Sequence, residues 1–475
     1  MQQAGLNFLG DLTDKFLTRL IGCGPLKAAT GAAIESWYQS REERFRSCHA
    51  CPRLTIWLLL LMALYRDLGV YSVYQKLLSF LQASRPDFHL RPVTAEALVK
   101  ARARLGSRPL QELFIDQAES LDVPASFKGH RLWAIDASEF TLPDTPANVE
   151  EFGRRADACY PSAKAVVLLD IYGRRVRSCA WRGWRSHEIN CASAVASSLG
   201  PEDLVLLDSG YASFKFFWEL VEERGASFVC RVTSQWNPEL VEELSQGDML
   251  VRVKTNRRDR AEFNRQGIDP NREMLCRLIT FRVGNGEMIR LLTNLVDRRR
   301  YPKTTLAKLY HKRWEIEVSF DEIKNELFSV RTGKQPTHFR SKTPQGIYQE
   351  AWALLVCYNL VRDLMAEAAE LAGEEPRDIS FTRTTALVSE FIHFCACFKT
   401  NVKINSLRES LLNRIGSSTV DRPRRPRSCC RKVKKKMTRF RRKRPGEPTE
   451  DRKLTLRIRF QDVELGVRVK EVTRY

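Results

Sequence analysis

A tyrosine, an arginine, a glutamate and a lysine are spaced along the stretch YHKRWEIEVSFDEIKNEL, residues 310–327, so that one helix face could carry all four. An α-helix advances about 100° per residue, so relative to Tyr310 a helical wheel places Arg313 at about 300°, Lys324 at about 320° and Glu317 at about 340°. Acidic and basic side chains gathered on so narrow an arc could bind a phosphate group and the cation that accompanies it.

An apolar stripe lies directly beside this arc. Five residues fall at about 220° to 280° on the same wheel, namely Leu309, Ile316, Phe320, Ile323 and Leu327. The four polar residues are therefore predicted at the margin of a buried face, where side chains can line a groove. One alternative remains open: Arg313 and Glu317 could form only an exposed ion pair between successive turns, which adds roughly a few tenths of a kcal/mol to a helix.

Two aspartates are candidate partners for Glu317. Asp136 ends the apolar run RLWAID, and Asp208 follows the run LVLL in DLVLLDSGYAS. Carboxylates at strand ends can be held rigidly while they face a cleft. Three acids from two strands and a helix could hold two divalent ions for in-line phosphoryl transfer, and Mg²⁺ suits such an all-oxygen site. Each aspartate alone could equally be a turn or capping residue.

The elements that must position these acids can be predicted from apolar periodicity. Residues before about 125 have helical spacing, and the run LTIWLLLLMALY, Leu54 to Tyr65, is predicted to be a buried helix because a membrane span needs about twenty apolar residues. Further on, the order strand, hairpin, helix, strand predicts a mixed α/β sheet. Asp170 also ends an apolar run, but the Ile-Tyr-Gly that follows predicts a hairpin turn there.

The charge balance favours a polyanionic partner. The 475 residues carry a formal net charge of +21, and fourteen Lys or Arg lie between Arg422 and Arg444, which leaves 21 − 14 = +7 for the rest. Nucleic acid is the leading partner, with an acidic membrane surface or an acidic protein as the alternative. The N-terminal residues do not have the pattern of a signal peptide, so we expect a cytoplasmic protein. Cys48 and Cys51 have the spacing of half a zinc site, without a second pair nearby.

The four spaced residues match the signature Tyr-x2-Arg-x3-Glu-x6-Lys, and the chain thereby resembles the bacterial insertion-sequence DDE transposases of the IS-four group. The segments AIDASEF and LLDSGYASFKFF resemble the regions around the group's first and second aspartates. The resemblance covers about Arg53 to Met365. It implies an RNase H-like fold in which Asp136, Asp208 and Glu317 bind Mg²⁺, with Mn²⁺ as a substitute.

The resemblance also implies partners and a reaction. Tyr310, Arg313 and Lys324 would bind double-stranded DNA at the terminal inverted repeats, and the enzyme would join the excised element to target DNA by cut-and-paste transposition, as a homodimer at the bacterial nucleoid. Two other hypotheses stay open: a catalytically inactive, domesticated DNA-binding descendant, and a general nuclease. Trp236 could stack on a displaced base or simply pack in the fold.

We accordingly expect an α/β protein with an RNase H-like mixed sheet, a β-rich insertion and a helical N-terminal domain. The predicted boundaries are 1–127 for the helical DNA-binding domain, 128–230 for the first part of the catalytic core, 231–287 for the insertion, 288–420 for the second part of the core with C-terminal helices, and 421–475 for a basic linker and a terminal hairpin.

Overall fold

The computed structural model describes residues 50–84, 93–156, 158–283, 288–327, 337–397, 401–420, 458–460 and 463–465. The chain divides into two compact units, Met1–Ala196 with Arg313–Thr419, and Ser197–Lys312 with Val420–Tyr475. Cys48 and the basic linker from Arg422 to Arg444 lie outside the described residues, so the predictions made for them stay predictions.

Four helices begin the described part of the first unit: α1 Pro52–Leu64, α2 Val70–Ser84, α3 Ala95–Leu105 and α4 Arg108–Glu119. Helix α1 is buried from Leu54 to Ala63, which confirms the predicted core helix. Helix α3 begins after Thr94, whose side chain accepts the Ala97 N–H and so satisfies one free helix-end donor. Across the described ranges, no helix is long and apolar enough to cross a membrane.

Three antiparallel strands follow in this unit: β1 Arg131–Thr141, β2 Ser162–Asp170 and β3 Val176–Gly183. Helix α5 Pro146–Phe152 lies between β1 and β2, and α6 Ile189–Val195 follows β3. The prediction that β1 ends at Asp136 was wrong, because Asp136 pairs with Val167 in mid-strand. The next five residues are too polar to extend an apolar run, yet their backbones continue the ladder with β2 as far as Thr141.

The second unit contains another set of strands. They are β4 Asp203–Leu207, β5 Ser227–Arg231, β6 Glu239–Ser245, β7 Asp248–Lys254, β8 Glu273–Val283, β9 Met288–Thr293, β10 Ile458–Phe460 and β11 Val463–Leu465. β4 pairs with β5 in parallel, and the pairs β5–β9, β9–β8, β8–β7, β7–β6, β8–β10 and β10–β11 are antiparallel. β10 and β11 lie in the segment for which the terminal hairpin was predicted.

The segment predicted to be a β-rich insertion also contains a helix. Helices α7 Phe214–Trp218, α8 Arg257–Arg265 and α9 Lys303–His311 belong to this second unit. Helix α8 begins with a capping box, in which the Asn256 side chain accepts the Asp259 N–H and the Asp259 carboxylate accepts the Asn256 N–H. This reciprocal pair is a recognised start signal that compensates for the scarcity of apolar residues in α8.

The segment that carries the four spaced residues is not one continuous α-helix, as the wheel assumed. Helix α9 ends at His311, a 3₁₀ turn covers Lys312–Trp314, α10 covers Glu315–Asp321, and a π turn covers Glu322–Glu326. The Leu327 N–H donates to the Glu322 carbonyl at 2.8 Å, which closes the wide turn. Helices α11 Pro344–Ala372, α12 Phe381–Cys397 and α13 Asn401–Gly416 complete the first unit. The expected mixed α/β fold class is confirmed.

Candidate active site

Arg313 joins two of the predicted carboxylates. Its Nη1 donates to Asp136 Oδ2 at 3.0 Å, and its Nη2 donates to Glu317 Oε1 at 3.1 Å. The Arg313 side chain is 9% exposed, whereas the Asp136 and Glu317 side chains are 21% and 28% exposed. The second oxygen of Asp136 accepts the Ala137 N–H at 2.8 Å. Arg313 therefore links the helical segment to β1, and it fixes two carboxylates that remain partly exposed to solvent.

Lys324 lies against the same face of β1, because alternate strand residues Asp136, Ser138 and Phe140 project to one side. Its Nζ lies 2.5 Å from Ser138 Oγ and 4.9 Å from the centre of the Phe140 ring. Burial lowers the pKa of Lys324 from 10.5 to about 8, and nearby carboxylates oppose that effect only in part. The ammonium is thus held partly out of water beside the strand that carries Asp136.

A buried charge cluster supports the helical segment from behind. Arg174 Nε donates to Glu315 at 2.7 Å, and Arg174 Nη1 donates to Glu322 at 3.0 Å. Glu322 also accepts a hydrogen bond from Arg362 and one from the Tyr358 hydroxyl, the latter at 3.0 Å. The side chains of Glu322 and Arg362 are 5% and 0% exposed. Because buried charges are stable only when paired, this cluster fixes the start of α10 and the start of the π turn.

Arg66 donates to backbone carbonyls of the π turn. Its Nη1 donates to the carbonyls of Ile323 and Lys324 at 2.9 and 3.1 Å, and its Nη2 donates to the His338 carbonyl at 2.9 Å. The His338 Nδ1 accepts the Thr141 N–H at 2.9 Å. Burial, together with the charges of Lys324 and Arg66, lowers the pKa of His338 to about 4, so this imidazole is neutral at physiological pH.

Asp208 and Tyr310 belong to the second unit. Asp208 directly follows β4, as predicted, and its carbonyl accepts the Tyr211 N–H at 3.0 Å. The Tyr310 side chain is buried, and its hydroxyl donates to the Leu207 carbonyl at 3.1 Å. Tyr310 therefore holds the backbone at the residue that precedes Asp208, a contact that spacing along the signature does not reveal.

The donor chemistry of this site fits a hard divalent cation. The structure brings Asp136 and Glu317 together through Arg313, and both offer carboxylate oxygens, the ligands that Mg²⁺ prefers. Within the described ranges, no group of three His, Cys, Asp or Glu side chains is gathered to hold an ion. The arrangement can present two carboxylates and two cations to a phosphodiester, which is the charge pattern that phosphoryl transfer requires.

Sequence reasoning missed the buried cluster around Glu322. One signal was present, because Arg362 interrupts the apolar run ALLVCYNLVRDLM and a charge there needs a buried partner. The identity of that partner depends on contacts between distant parts of the chain. Trp236, one candidate for base stacking, is half-buried with its ring 5.6 Å from that of Phe217, in keeping with the packing alternative.

Comparisons with known proteins found two matching families and several similar proteins. Residues 127–360 match the family described as the transposase DDE domain, and residues 33–115 match the insertion element 4 transposase N-terminal family. The chain is 30% identical over 350 residues to the transposase InsG for insertion sequence element IS4 of Escherichia coli, with 71% of this chain and 75% of that protein covered.

Two further similarities are weaker or shorter. A Geobacillus stearothermophilus protein, named as a probable transposase for insertion sequence element IS5377, is 32% identical over 107 residues, which are 22% of this chain and 26% of that protein. A piggyBac transposase solved in a synaptic complex with hairpin DNA covers 84% of each chain, with 11% identity and a TM-score of 0.40.

Proposed function

We propose a residue-level mechanism for this chain, which belongs to the IS4 family of insertion-sequence DDE transposases. It is a DNA transposase, an enzyme of DNA phosphoryl transfer from a family that uses divalent metal ions. The observation that supports the mechanism best is the Arg313 guanidinium, which donates to Asp136 and Glu317 at 3.0 and 3.1 Å.

Asp136, Asp208 and Glu317 are the proposed metal-binding carboxylates, with Mg²⁺ as the ion and Mn²⁺ as a substitute. When bound, the ions supply Lewis-acid stabilisation of the attacking and leaving oxygens of a phosphodiester. Arg313 orients the side chains of Asp136 and Glu317, so neither carboxylate has to be immobilised when the substrate arrives. Arg313, a residue of the signature, thus keeps two of the three proposed metal-binding carboxylates in place.

The cations and the tyrosine have separate proposed roles. Lys324, held beside Ser138, donates from Nζ to a DNA phosphate, and Arg313 adds positive charge next to that phosphate. Tyr310 is expected from the resemblance to bind DNA, but its buried hydroxyl already donates to the Leu207 carbonyl. We therefore assign to Tyr310 the positioning of Asp208, and not stacking on the DNA.

The reaction that follows is cut-and-paste transposition. Water or a DNA 3′-hydroxyl attacks a phosphodiester at each terminal inverted repeat of double-stranded DNA and displaces a 3′-hydroxyl, which then attacks target DNA. The protein would act as a homodimer on the two ends of the element, at the nucleoid of a bacterial cytoplasm.

Strand cleavage by the purified full chain tests the assignment. The substrate is duplex DNA that carries the flanking sequences of its own element, with Mg²⁺ or Mn²⁺ added. Each of Asp136→Asn, Asp208→Asn and Glu317→Gln should abolish cleavage and leave DNA binding intact. Asp321→Asn, which removes an exposed carboxylate from α10, is the matched control and should cleave normally.

Three results would contradict the proposal. Full Mg²⁺-dependent cleavage by any of the three variants would remove that residue from the metal-binding set. Salt-sensitive DNA binding by the wild type without cleavage in either metal would instead favour an inactive DNA-binding descendant. Cutting without preference for the element ends would favour a general nuclease.

A further inference from the structure

Helix α8 presents an almost entirely basic face to solvent. Its sequence RRDRAEFNR contains four arginines, and all four are exposed, as are Ala261 and Asn264. At about 100° per residue these six residues cover one continuous arc, opposite the buried Asp259 and Phe263. Burial of one aromatic residue contributes little stability to α8. Packing against the core therefore does not explain why the helix exposes four guanidinium groups.

The acids of α8 are already occupied. The Asp259 carboxylate is used in the capping box, and it is buried. Glu262 forms ion pairs with Lys215 at 3.3 Å and with Arg265 at 2.6 Å. Neither acid forms an ion pair with Arg257 or Arg258 within the described residues, although the charge of Arg258 contributes to the lowered pKa of Glu262.

Arg257 and Arg258 are the two cations of this face whose side chains form no ion pair or hydrogen bond within the described residues. Arg260 donates to the Thr255 carbonyl at 3.2 Å, and Arg265 pairs with Glu262. The Arg258 backbone N–H donates to Asn256 Oδ1 at 2.8 Å as part of the helix cap. The aromatic contacts of Phe263 with Phe214 and Trp218, at ring distances of 6.2 and 5.3 Å, fix the direction in which the two arginines project.

We propose that the exposed face of α8 is a phosphate-binding surface for duplex DNA, in which Arg257 and Arg258 make the contacts. The inference rests on the proposed function, because it takes DNA as the partner. It adds a sequence-independent binding element within the insertion, separate from the residues that perform the chemistry. Guanidinium groups contact phosphate oxygens through paired N–H donors, and each contact releases condensed counterions from the DNA.

The salt dependence of DNA binding measures these contacts directly. The full chain is titrated into a fluorescent duplex without divalent metal at several salt concentrations, and the logarithm of the association constant is plotted against the logarithm of salt concentration. Each phosphate contact contributes about 0.9 to the magnitude of the slope, so Arg257→Gln with Arg258→Gln should reduce it by about 1.8. The charge-preserving double variant with lysine at both positions should retain the wild-type slope.

A matched control separates specific contacts from net charge. Arg108→Gln with Arg414→Gln also removes two positive charges, from exposed arginines that form ion pairs with Glu112 and Glu390. This control should leave the slope within about 0.3 of the wild type, well below the change of about 1.8 expected for two lost contacts. An unchanged slope in the Arg257 and Arg258 glutamine variant, or an equal reduction in the control, would overturn the inference.

The cleavage assay tests the proposed function independently of the salt dependence of DNA binding. If the wild type cleaves element ends and the glutamine variant keeps its slope, the phosphate-binding surface is wrong and the transposase mechanism stands. If the slope falls as expected but the wild type cleaves nothing, the surface is supported and the catalytic assignment fails.

Discussion

Replacement of Lys324 by methionine should stabilise the fold while it weakens DNA binding. Burial between Ser138 and Phe140 lowers the pKa of Lys324 from 10.5 to about 8. The difference of 2.5 corresponds to about 3 kcal/mol, because one pKa unit is worth about 1.4 kcal/mol. Methionine keeps an apolar stem beside Phe140 and removes the charge, so the variant should gain up to about 3 kcal/mol in free energy of unfolding at pH 7.

The pH dependence of this gain identifies its cause. Between pH 8 and 10.5 the folded wild type has released the Lys324 proton while the unfolded chain still holds it. Since the unfolded state binds more protons in this window, the stability of the wild type rises with pH through it. The advantage of the variant should therefore be full below pH 8 and should disappear as pH approaches 10.5.

Urea unfolding of both full-length proteins at pH 7, 8, 9 and 10 provides the measurement. Lys100→Met, at an exposed position on α3, controls for the loss of one positive charge and should show no such pH-dependent difference. A difference between wild type and Lys324→Met that stays constant from pH 7 to 10 would refute the reasoning. The same variant should bind DNA more weakly at pH 7, where Lys324 is charged.

Three further substitutions test the supporting contacts. Glu322→Gln leaves Arg362 buried without its carboxylate, so it should lower the free energy of unfolding by about 3–5 kcal/mol in urea, and a second change, Arg362→Met, should recover most of that loss. Gly153→Ala should cost about 1–3 kcal/mol in the same assay, because φ is +74° and the new Cβ would lie 2.6 Å from a tryptophan nitrogen. Tyr310→Phe removes a hydrogen bond worth about 1 kcal/mol, so strand cleavage should slow about fivefold while the Kd for DNA is unchanged. Equal losses in cleavage and binding would argue against a positioning role for Tyr310.

The sequence was sufficient to predict the elements whose structure depends on local residue patterns. The buried helix α1 follows from a run of apolar residues, and the Asp170 turn follows from the Ile-Tyr-Gly after it, since its carboxylate accepts the Tyr172 and Gly173 N–H groups at 2.8 and 3.0 Å. The pair formed by Arg313 and Glu317 also follows from their spacing of four residues. Membership of the IS-four group, expected from the signature, is confirmed by the family matches.

The contacts that build the site join distant residues and could not be predicted from the local sequence. Arg313 and Asp136 are 177 residues apart in the chain, and Arg362 and Glu322 are 40 apart. Helix α8 was missed because apolar periodicity cannot identify a helix with two buried residues, whereas its capping box could have. The interrupted helical segment depends on Glu322 and on Arg66, whose partners lie on other elements.

The π turn at Glu322–Glu326 makes the number of residues between Glu317 and Lys324 as important as their types. A wide turn accommodates one more residue than a regular helical turn of the same length, so a one-residue deletion there would restore the ordinary helical ladder. The deletion would leave six residue steps between Glu317 and Lys324 in place of seven and would change the angle between their side chains, so Lys324 would no longer face Ser138. This part of the chain should accordingly accept almost no insertions or deletions during evolution.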